Sequence, residues 1–224
     1  MSANKDNINE IIQNTAKELQ KNNMQTFIAS TKEEAMKIVK DLIPKGATVT
    51  MGGSQTIIQC GIYDMLKGSD YKFFDRTAKD VVTEEQKEEI YRKAFSCHTY
   101  LSSSNAITEN GELYNVDGNS NRVAAMLYGS DQLIVVAGYN KIVKNIDEAV
   151  LRVKTKAAPP NCDRLNLDNY CRKNGKCVSL SKENSELCDG CNSPTRICCN
   201  YVVMGYQRNK SRVKVILVEE ELGY

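Results

Sequence analysis

Residues 102–122, SSSNAITENGELYNVDGNSNR, combine small polar, acidic and glycine residues more densely than turn formation alone requires. Within this stretch, residues 112–116 alternate like one arm of a β-hairpin. Asp117 or Asn119 stands where an N-cap would precede the helical sequence that continues from Arg122. The stretch therefore predicts a strand, a hairpin, a tight turn and a helix, in that order.

Two interpretations of this stretch remain open from the residues alone. Its amide, hydroxyl, carboxylate and guanidinium groups, separated by glycines, are suited to surround a small anionic or polyhydroxy ligand. The alternative is a polar hairpin that only joins two elements of the core. On the first interpretation, the candidate site residues are Asn105, Thr108, Glu109, Asp117, Asn121 and Arg122.

Apolar runs on both sides of this stretch predict a parallel sheet. The run at residues 133–137 is almost entirely apolar, as expected for a strand covered on both faces. The succession of strands and amphipathic helices implies right-handed crossover units. We predict strands at residues 25–29, 47–51, 71–74 and 99–102, helices at 7–21, 31–42, 84–95 and 146–155, and two late strands at 201–205 and 213–219 that pair with each other or extend a sheet edge.

Polar residues follow several of these strands, at the sheet edge where open α/β folds bind ligands. The junction after the strand at 47–51 contributes Gly52, Gly53, Ser54 and Thr56, and its free N–H groups favour an anion. A tight strand-to-helix turn without a ligand is the alternative. Lys141 follows a later strand and is a further candidate for anion binding. Asp75 and Arg76 either reach the same edge or form a surface ion pair.

The composition of the chain is that of an ordinary globular protein. Its 224 residues are 41% hydrophobic, and 30 basic and 28 acidic residues give a formal charge of +2, so a nucleic-acid partner is not indicated. No apolar run approaches the roughly 20 residues that span a bilayer. The polar first ten residues lack the apolar core of a signal peptide. We therefore expect a cytoplasmic protein with no membrane partner.

The cysteines are concentrated late in the chain, after the Ala-Ala-Pro-Pro-Asn sequence at residues 157–161, which interrupts the helical pattern. Seven of the nine lie between residues 162 and 199. Thiols stay reduced in the cytosol, so their accumulation indicates a metal site, and soft sulfur ligands favour an iron–sulfur cluster or zinc. Cys162 and Cys199 look secondary. The predicted ligands are Cys171, Cys177, Cys188, Cys191 and Cys198, of which four would suffice.

The sequence resembles the LUD-domain family of lactate-utilisation proteins. The resemblance rests on residues 100–125 and 132–143, and extends back to Met51-Gly-Gly-Ser-Gln-Thr and forward through the cysteines. It implies a three-layer α/β/α fold with a mostly parallel sheet, related to ribose-5-phosphate isomerase, glucosamine-6-phosphate deaminase and the CoA-transferases. We expect one such domain over residues 1–224, with residues 160–200 as a metal-binding cysteine-rich insertion within it.

The resemblance also implies a function in the oxidation of lactate to pyruvate. The family's cysteine run is often read as a [4Fe-4S] site, but residues 179–187 look inserted here, which leaves the choice of ligands open. The first hypothesis is an iron–sulfur accessory or redox subunit that binds a small anionic ligand and works with other lactate-oxidation subunits.

Two other functions remain open. Related CoA-transferases use a glutamate in a similar Glu-Asn-Gly stretch as nucleophile, so Glu109 or Asp117 would serve as nucleophile or base in an isomerase or transferase acting on a phosphorylated or thioester substrate. A zinc-stabilised binding module without catalysis is the third hypothesis. A triad hydrolase is disfavoured, because His98 is the sole histidine and precedes an apolar strand.

Overall fold

A computed structural model describes residues 5–68 and 70–224. A six-stranded, fully parallel sheet forms its centre, with strand order β1-β10-β7-β4-β2-β3. The α/β fold with a mostly parallel sheet is therefore confirmed. The strands of this sheet are β1 (Gln25–Ala29), β2 (Thr48–Met51), β3 (Lys72–Phe74), β4 (Thr99–Ser102), β7 (Gln132–Gly138) and β10 (Val213–Val218).

Helices cover both faces of the sheet. Several start where the sequence supplies a cap: Thr31, for example, accepts the N–H of Glu34, and Thr83 forms a capping box with Gln86. The α-helices in the described part of the chain are α1 (Lys5–Lys21), α2 (Lys32–Leu42), α3 (Gln55–Gln59), α4 (Ile62–Leu66), α5 (Glu84–Lys93), α6 (Asn121–Leu127), α7 (Ile146–Arg152), α8 (Ala158–Arg164) and α9 (Tyr170–Asn174). None of them is long and apolar enough to cross a membrane.

The alternation of side chains along β7 creates two cores. Leu133 and Val135 point to a cluster that includes Leu19 of α1. Ile134 and Val136 point to the opposite cluster, with α2 and α3. Because β7 is buried along its whole length between these layers, its sequence carries no polar face.

A second, four-stranded sheet holds the hairpin predicted from residues 102–122. Its order is β8-β5-β6-β9, with β5 and β6 antiparallel. Gly111 forms the hairpin turn in the left-handed region, at φ 79°. The strands are β5 (Ala106–Thr108), β6 (Leu113–Asp117), β8 (Ile142–Val143) and β9 (Asn200–Met204).

The last two strands do not pair with each other, and β10 does not extend an edge of the parallel sheet, although β9 forms an edge of the second sheet. β10 lies inside the parallel sheet between β1 and β7, whereas β9 pairs antiparallel with β6. The continuous apolar sequence of β10 suits a position covered on both faces, since its partners are themselves buried. The two strands therefore belong to different sheets.

The sequence at residues 157–161 was predicted to interrupt the helical structure, but the proline pair at residues 159–160 does not do so. Helix α7 continues through a π-helical segment, Val153–Ala157, into α8. Pro159 and Pro160 occupy the first turn of α8, where a missing N–H costs little. This arrangement places Cys162 on the buried side of α8.

Gly111 provides a test of the hairpin. A Cβ there would lie 2.5 Å from the carbonyl carbon of Glu18, in addition to the left-handed strain. We expect Gly111→Ala to lower the free energy of unfolding by about 3 kcal/mol or more, measured by urea denaturation.

Gly175→Ala is the matched control, because Gly175 has φ 67° but no atom within 4 Å of the added carbon. It should cost only the backbone strain, about 1–2 kcal/mol. Equal losses in the two variants would contradict the close packing of the hairpin turn on α1.

Candidate functional site

An open cleft of about 390 Å³ lies at the carboxyl ends of β2, β4 and β7. Parallel strands direct their polar connections to this edge, so loops far apart in sequence meet there. The opposite wall comes from the cysteine-rich part of the chain. The predicted residues that line the cleft are Gly53, Ser54, Asn105, Asp117, Asn121, Arg122 and Lys141.

Arg122 is the most constrained side chain of this wall. Its Nε donates to Asp117 Oδ2 at 3.1 Å, and its terminal nitrogens donate to Asn115 Oδ1 at 2.7 Å and Asn105 Oδ1 at 3.0 Å. Two backbone carbonyls, those of Ser103 and Val116, accept the remaining N–H groups. With all five donors occupied, Arg122 joins β4, the hairpin and α6 and has no free donor for a ligand.

Asp117 is equally committed. Its Oδ1 accepts the backbone N–H groups of Asn119 and Ser120, which fixes the turn before α6, and its Oδ2 pairs with Arg122. Ser120, rather than the predicted Asp117 or Asn119, occupies the N-cap position and has a left-handed backbone. The carboxylate is therefore a structural acceptor in this arrangement, not the free base or nucleophile predicted from the sequence.

The glycines after β2 make room for guanidinium groups. A Cβ on Gly52 would lie 3.1 Å from Arg122 Cγ, and one on Gly53 would lie 2.5 Å from a terminal nitrogen of Arg76. Gly53 lines the cleft, whereas Gly52 lies beneath the side chain of Arg122. The Gly-Gly sequence is explained here by arginine packing as well as by a tight turn.

Lys141 lies at the base of the cleft and is only 4% exposed. Its ammonium donates to Ser103 Oγ at 3.0 Å, and in the described part of the chain no carboxylate lies within 4.0 Å of it. Burial, together with the nearby Arg152 and Arg122 guanidinium groups, lowers the pKa of Lys141 to about 7.

Two predicted residues, Glu109 and Thr108, lie away from the cleft, whereas Thr56 is buried directly next to Ser103, which lines it. Glu109 is exposed in the hairpin turn, whose neighbours Asn110 and Gly111 accept hydrogen bonds from Asn22, and Thr108 is buried at the same end. Asn105 and Asp117 occupy the other end of the hairpin, so the structure does not bring Glu109 to the cleft, contrary to the role expected for it. Thr56 is buried and donates to the carbonyl of Leu222.

Other cleft residues were missed or left undecided by the sequence. Arg76 lines the cleft and stacks on Tyr91 at 5.6 Å, and it makes no ion pair with Asp75, which instead accepts from Tyr63 and Thr77. Its place after β3 was the only signal. Nothing local to the sequence marked the residues from the far wall, which are Asn161, Arg164, Arg196 and Tyr224.

A second, enclosed cavity of about 30 Å³ lies behind the cleft. This volume is roughly twice what one water requires. Five cysteines line what we call the thiol cavity: Cys162, Cys171, Cys177, Cys191 and Cys198. Cys188, predicted as a ligand, is exposed and does not line it, whereas Cys162, judged secondary, is fully buried there. All nine cysteines are free thiols.

Cys162 and Cys171 are in direct contact, with their Sγ atoms 3.5 Å apart. Asn169 caps α9 and contacts both of them: its Nδ2 donates to Cys162 Sγ, and its Oδ1, 3.4 Å from Cys171 Sγ, is an alternative acceptor for the single thiol proton of Cys171. The hydrogen bond that Cys171 donates lowers the pKa of Cys162 to about 7 and raises the pKa of Cys171. Cys162 therefore loses its proton more readily than Cys171 does.

Arg196 holds the loop that carries the later cysteines. Its guanidinium donates to the backbone carbonyls of Cys188 at 2.7 Å, Cys191 at 3.1 Å and Cys198 at 2.8 Å. Tyr201 Oη accepts a fourth bond. One side chain thus sets the conformation of a loop with no regular secondary structure, and places a positive charge beside the thiols.

The cleft and the thiol cavity share a wall. Val153, Ala158, Arg196, Ile197 and Cys198 line both. Burial raises the pKa of Cys198 to about 12, and the neighbouring thiols add to this. Within the described residues, no three His, Cys, Asp or Glu side chains are grouped closely enough to hold a single metal ion. The five thiols instead surround a common space.

The sequence model of the LUD domain matches residues 12–218. A solved DUF162 family protein from Deinococcus radiodurans is 13% identical, with 96% of this chain and 99% of that chain covered and a TM-score of 0.46. Ribose 5-phosphate isomerase from Plasmodium falciparum is 18% identical over 51% of this chain and 52% of its own, with a TM-score of 0.33. No curated protein matches the chain.

The Arg122 network predicts a large loss of stability on substitution. The Arg122 and Asp117 side chains are only 14% and 11% exposed. We expect Arg122→Met to lower the free energy of unfolding by about 3 kcal/mol, because it leaves a carboxylate and several carbonyls unpaired. Arg122→Lys should recover less than half of this, since one ammonium cannot replace a five-donor fork. Urea denaturation measures both.

Arg92→Lys is the control, because the Arg92–Glu88 pair is 76% and 60% exposed. It should change stability by less than about 0.5 kcal/mol. If Arg122→Lys were equally mild, the network would not hold this wall.

The low pKa of Lys141 predicts that replacing this residue raises the free energy of unfolding, by an amount that depends on pH. Its folded pKa of about 7 lies below the unfolded value, so between pH 10 and pH 7 the unfolded chain takes up a proton that the folded protein does not. Stability is therefore lost as the pH falls through this range. Lys141→Met removes that loss and should stabilise the protein by roughly 1–3 kcal/mol at pH 7 and by much less at pH 10.

Lys154→Met is the matched control at a buried lysine. Lys154 donates to Ser185 Oγ and to the carbonyl of Glu186, so its loss should destabilise the protein by about 1 kcal/mol. Thermal unfolding at the two pH values measures both variants. A Lys141→Met protein that is less stable than wild type at pH 7 would contradict the unpaired burial of this amine.

Proposed function

The chain belongs to the LUD-domain family, which is linked to lactate utilisation, and from this membership we propose that it is an iron–sulfur accessory or redox subunit in the oxidation of lactate to pyruvate. The match of the LUD-domain model to residues 12–218 confirms the family resemblance seen in the sequence. The role of the cysteine segment and the nature of the cleft ligand belong to the proposal.

One observation carries the proposal: five thiols surround a single cavity that shares a wall with a cleft rich in cationic side chains. Buried thiols that served only for packing would not need to converge. Their position against the cleft wall suits an inorganic centre that exchanges electrons with a ligand bound on the other side. Cys198 contributes to both spaces.

The donor set fits a [4Fe-4S] group in its chemistry. Soft thiolates select such clusters over hard cations, and a cluster holds its four ligands further apart than a single ion does. The convergence of five thiols on one space supports this choice. When bound, the group would supply one-electron transfer.

The chain's own residues prepare this site. Arg196 fixes the carbonyls of the cysteine loop and offsets the negative charge of thiolates, and Asn169 orients Cys162 and Cys171. The proposed ligands are Cys162, Cys171, Cys177, Cys191 and Cys198, which replaces Cys188 of the sequence-based set with Cys162 and leaves one thiol more than a cluster requires.

The cleft is proposed to bind a small organic anion. Arg76, Arg122, Lys141, Arg164 and Arg196 line it, against the single acidic side chain of Asp117. Arg122 and Asp117 neutralise each other, so the surplus is positive. A hydroxy acid or oxo acid matches this sign of charge. The nine free thiols suit a reducing compartment, so the proposed setting is the cytoplasm, beside other lactate-oxidation subunits.

A zinc-stabilised binding module is a second candidate, which one distance favours. The 3.5 Å between Cys162 Sγ and Cys171 Sγ lies near the ~3.8 Å expected for two thiolates on one tetrahedral zinc with bonds of ~2.3 Å. An isomerase or CoA transferase based on Glu109 receives no such support, because Glu109 is exposed at the far end of the hairpin.

Metal analysis of the full chain, purified without oxygen from anaerobically grown cells, tests the proposal. We expect about four iron and four sulfide per chain, with broad visible absorbance that bleaches on reduction. One zinc and no iron would establish the binding module instead. A metal-free protein with native circular dichroism would overturn both.

Paired substitutions separate the two ligand sets. Cys162→Ser combined with Cys171→Ser leaves three thiols around the cavity and should lose most of the iron, whereas Cys188→Ser combined with Cys199→Ser, at exposed thiols of the same segment, should retain it. Iron retained by the first protein, or lost from the second, would contradict the ligand set derived from the thiol cavity.

A further inference from the structure

We propose that Lys141 is a nucleophilic amine that forms an imine with the carbonyl carbon of a small 2-oxo acid bound in the cleft. The choice of a 2-oxo acid rests on the proposed function, whereas the nucleophilic amine rests on the structure alone. This would make Lys141 a catalytic residue, beyond a role in binding an anion.

The position of Lys141 suits covalent chemistry. It ends a short 3₁₀ turn, Tyr139–Lys141, directly after β7, and its side chain is buried yet lines the cleft. Its Nζ makes one hydrogen bond, to Ser103 Oγ, and no carboxylate of the described chain is close enough to pair with it. A buried ammonium with unmet donors is costly, whereas a neutral amine in the same place is not.

The groups around Lys141 reinforce the neutral form. Arg152 lies nearby and is fixed in place, since it donates to the carbonyls of Asn140 at 3.0 Å and Asn105 at 2.6 Å. Arg122 is held by its own network. These immobile cations and the burial explain a lysine pKa of about 7, which leaves about half of the amines with a free electron pair at neutral pH.

The cleft also provides for the rest of a 2-oxo acid. Arg76 and Arg164 line it without a carboxylate within 4.0 Å in the described chain, so a carboxylate ligand would meet cations that lack a counter-charge. The volume of about 390 Å³ admits a three-carbon acid together with water. Ser103 Oγ, already bonded to Nζ, is placed to relay a proton.

The reaction balances without a further reagent. The Nζ lone pair attacks the carbonyl carbon, a C–N bond forms, and the oxygen becomes a hydroxyl with a proton from the amine. The C–O bond then breaks, the oxygen leaves as water with the second amine proton, and a C=N bond remains. Hydrolysis reverses each step, so the imine is lost unless it is reduced.

Borohydride trapping tests this proposal. Full-length protein is incubated with pyruvate at pH 7, reduced with sodium cyanoborohydride, and analysed by intact mass and peptide mapping. The neutral fraction of Lys141 exceeds that of an ordinary lysine roughly a thousandfold, so we expect at least about tenfold more adduct at Lys141 than at any other lysine. Lactate, which has a hydroxyl in place of the ketone group, should give none.

The controls keep the test independent of folding and of the iron–sulfur proposal. Lys141→Arg should lose the adduct, and mapping of the wild-type protein identifies the modified lysine even if this variant misfolds. Lys154, equally buried but outside the cleft, should stay unmodified. An even distribution of adduct over exposed lysines, or no adduct, would overturn the proposal while leaving the metal content unchanged.

Discussion

The interaction on which this site depends is the hydrogen bonding of one largely buried guanidinium, that of Arg122. Arg122 receives partners from the end of β4, from both strands of the hairpin and from the turn before α6, and Gly52 leaves the space that its side chain needs. A charge so enclosed is tolerable only when every donor is satisfied. The polar residues whose sequence suggests a binding loop are therefore hydrogen-bonded mainly to one another and stabilise the wall of the cleft. Lys141 and Arg76 are the side chains that remain available to a ligand.

The opposite wall of the cleft, which includes Val153, Ala158 and Arg196, separates two environments of different character. On one side lies an open, cationic cleft, and on the other an enclosed cavity of thiols, with Cys198 and Arg196 in contact with both. Arg196 stabilises the cysteine loop as Arg122 stabilises the hairpin. Its planar guanidinium donates to three backbone carbonyls of a segment without regular secondary structure. An electron acceptor and an anionic ligand would here be separated by a single layer of side chains.

The sequence predicted those parts of the structure that local patterns control. The buried strands, the capped helices and the hairpin follow from periodicity and turn residues, and the cleft loops follow from parallel strand order. Glu109 was misplaced because composition does not tell which end of a hairpin meets the sheet. Cys162 was undervalued because its position depends on the helical path through Pro159 and Pro160. The position of β10 was predicted wrongly because its place between β1 and β7 is set by pairing with strands distant in sequence.

The convergence of the late cysteines on one inorganic centre beside the cleft is tested most directly by crystallography of anaerobically prepared protein, with data collected on both sides of the iron absorption edge. An anomalous difference map should show a single compact group of iron atoms between Cys162 and Cys198, in the thiol cavity behind the cleft. Anomalous density at the surface near Cys188 and Cys199, or its absence from the thiol cavity of an iron-containing crystal, would contradict that placement.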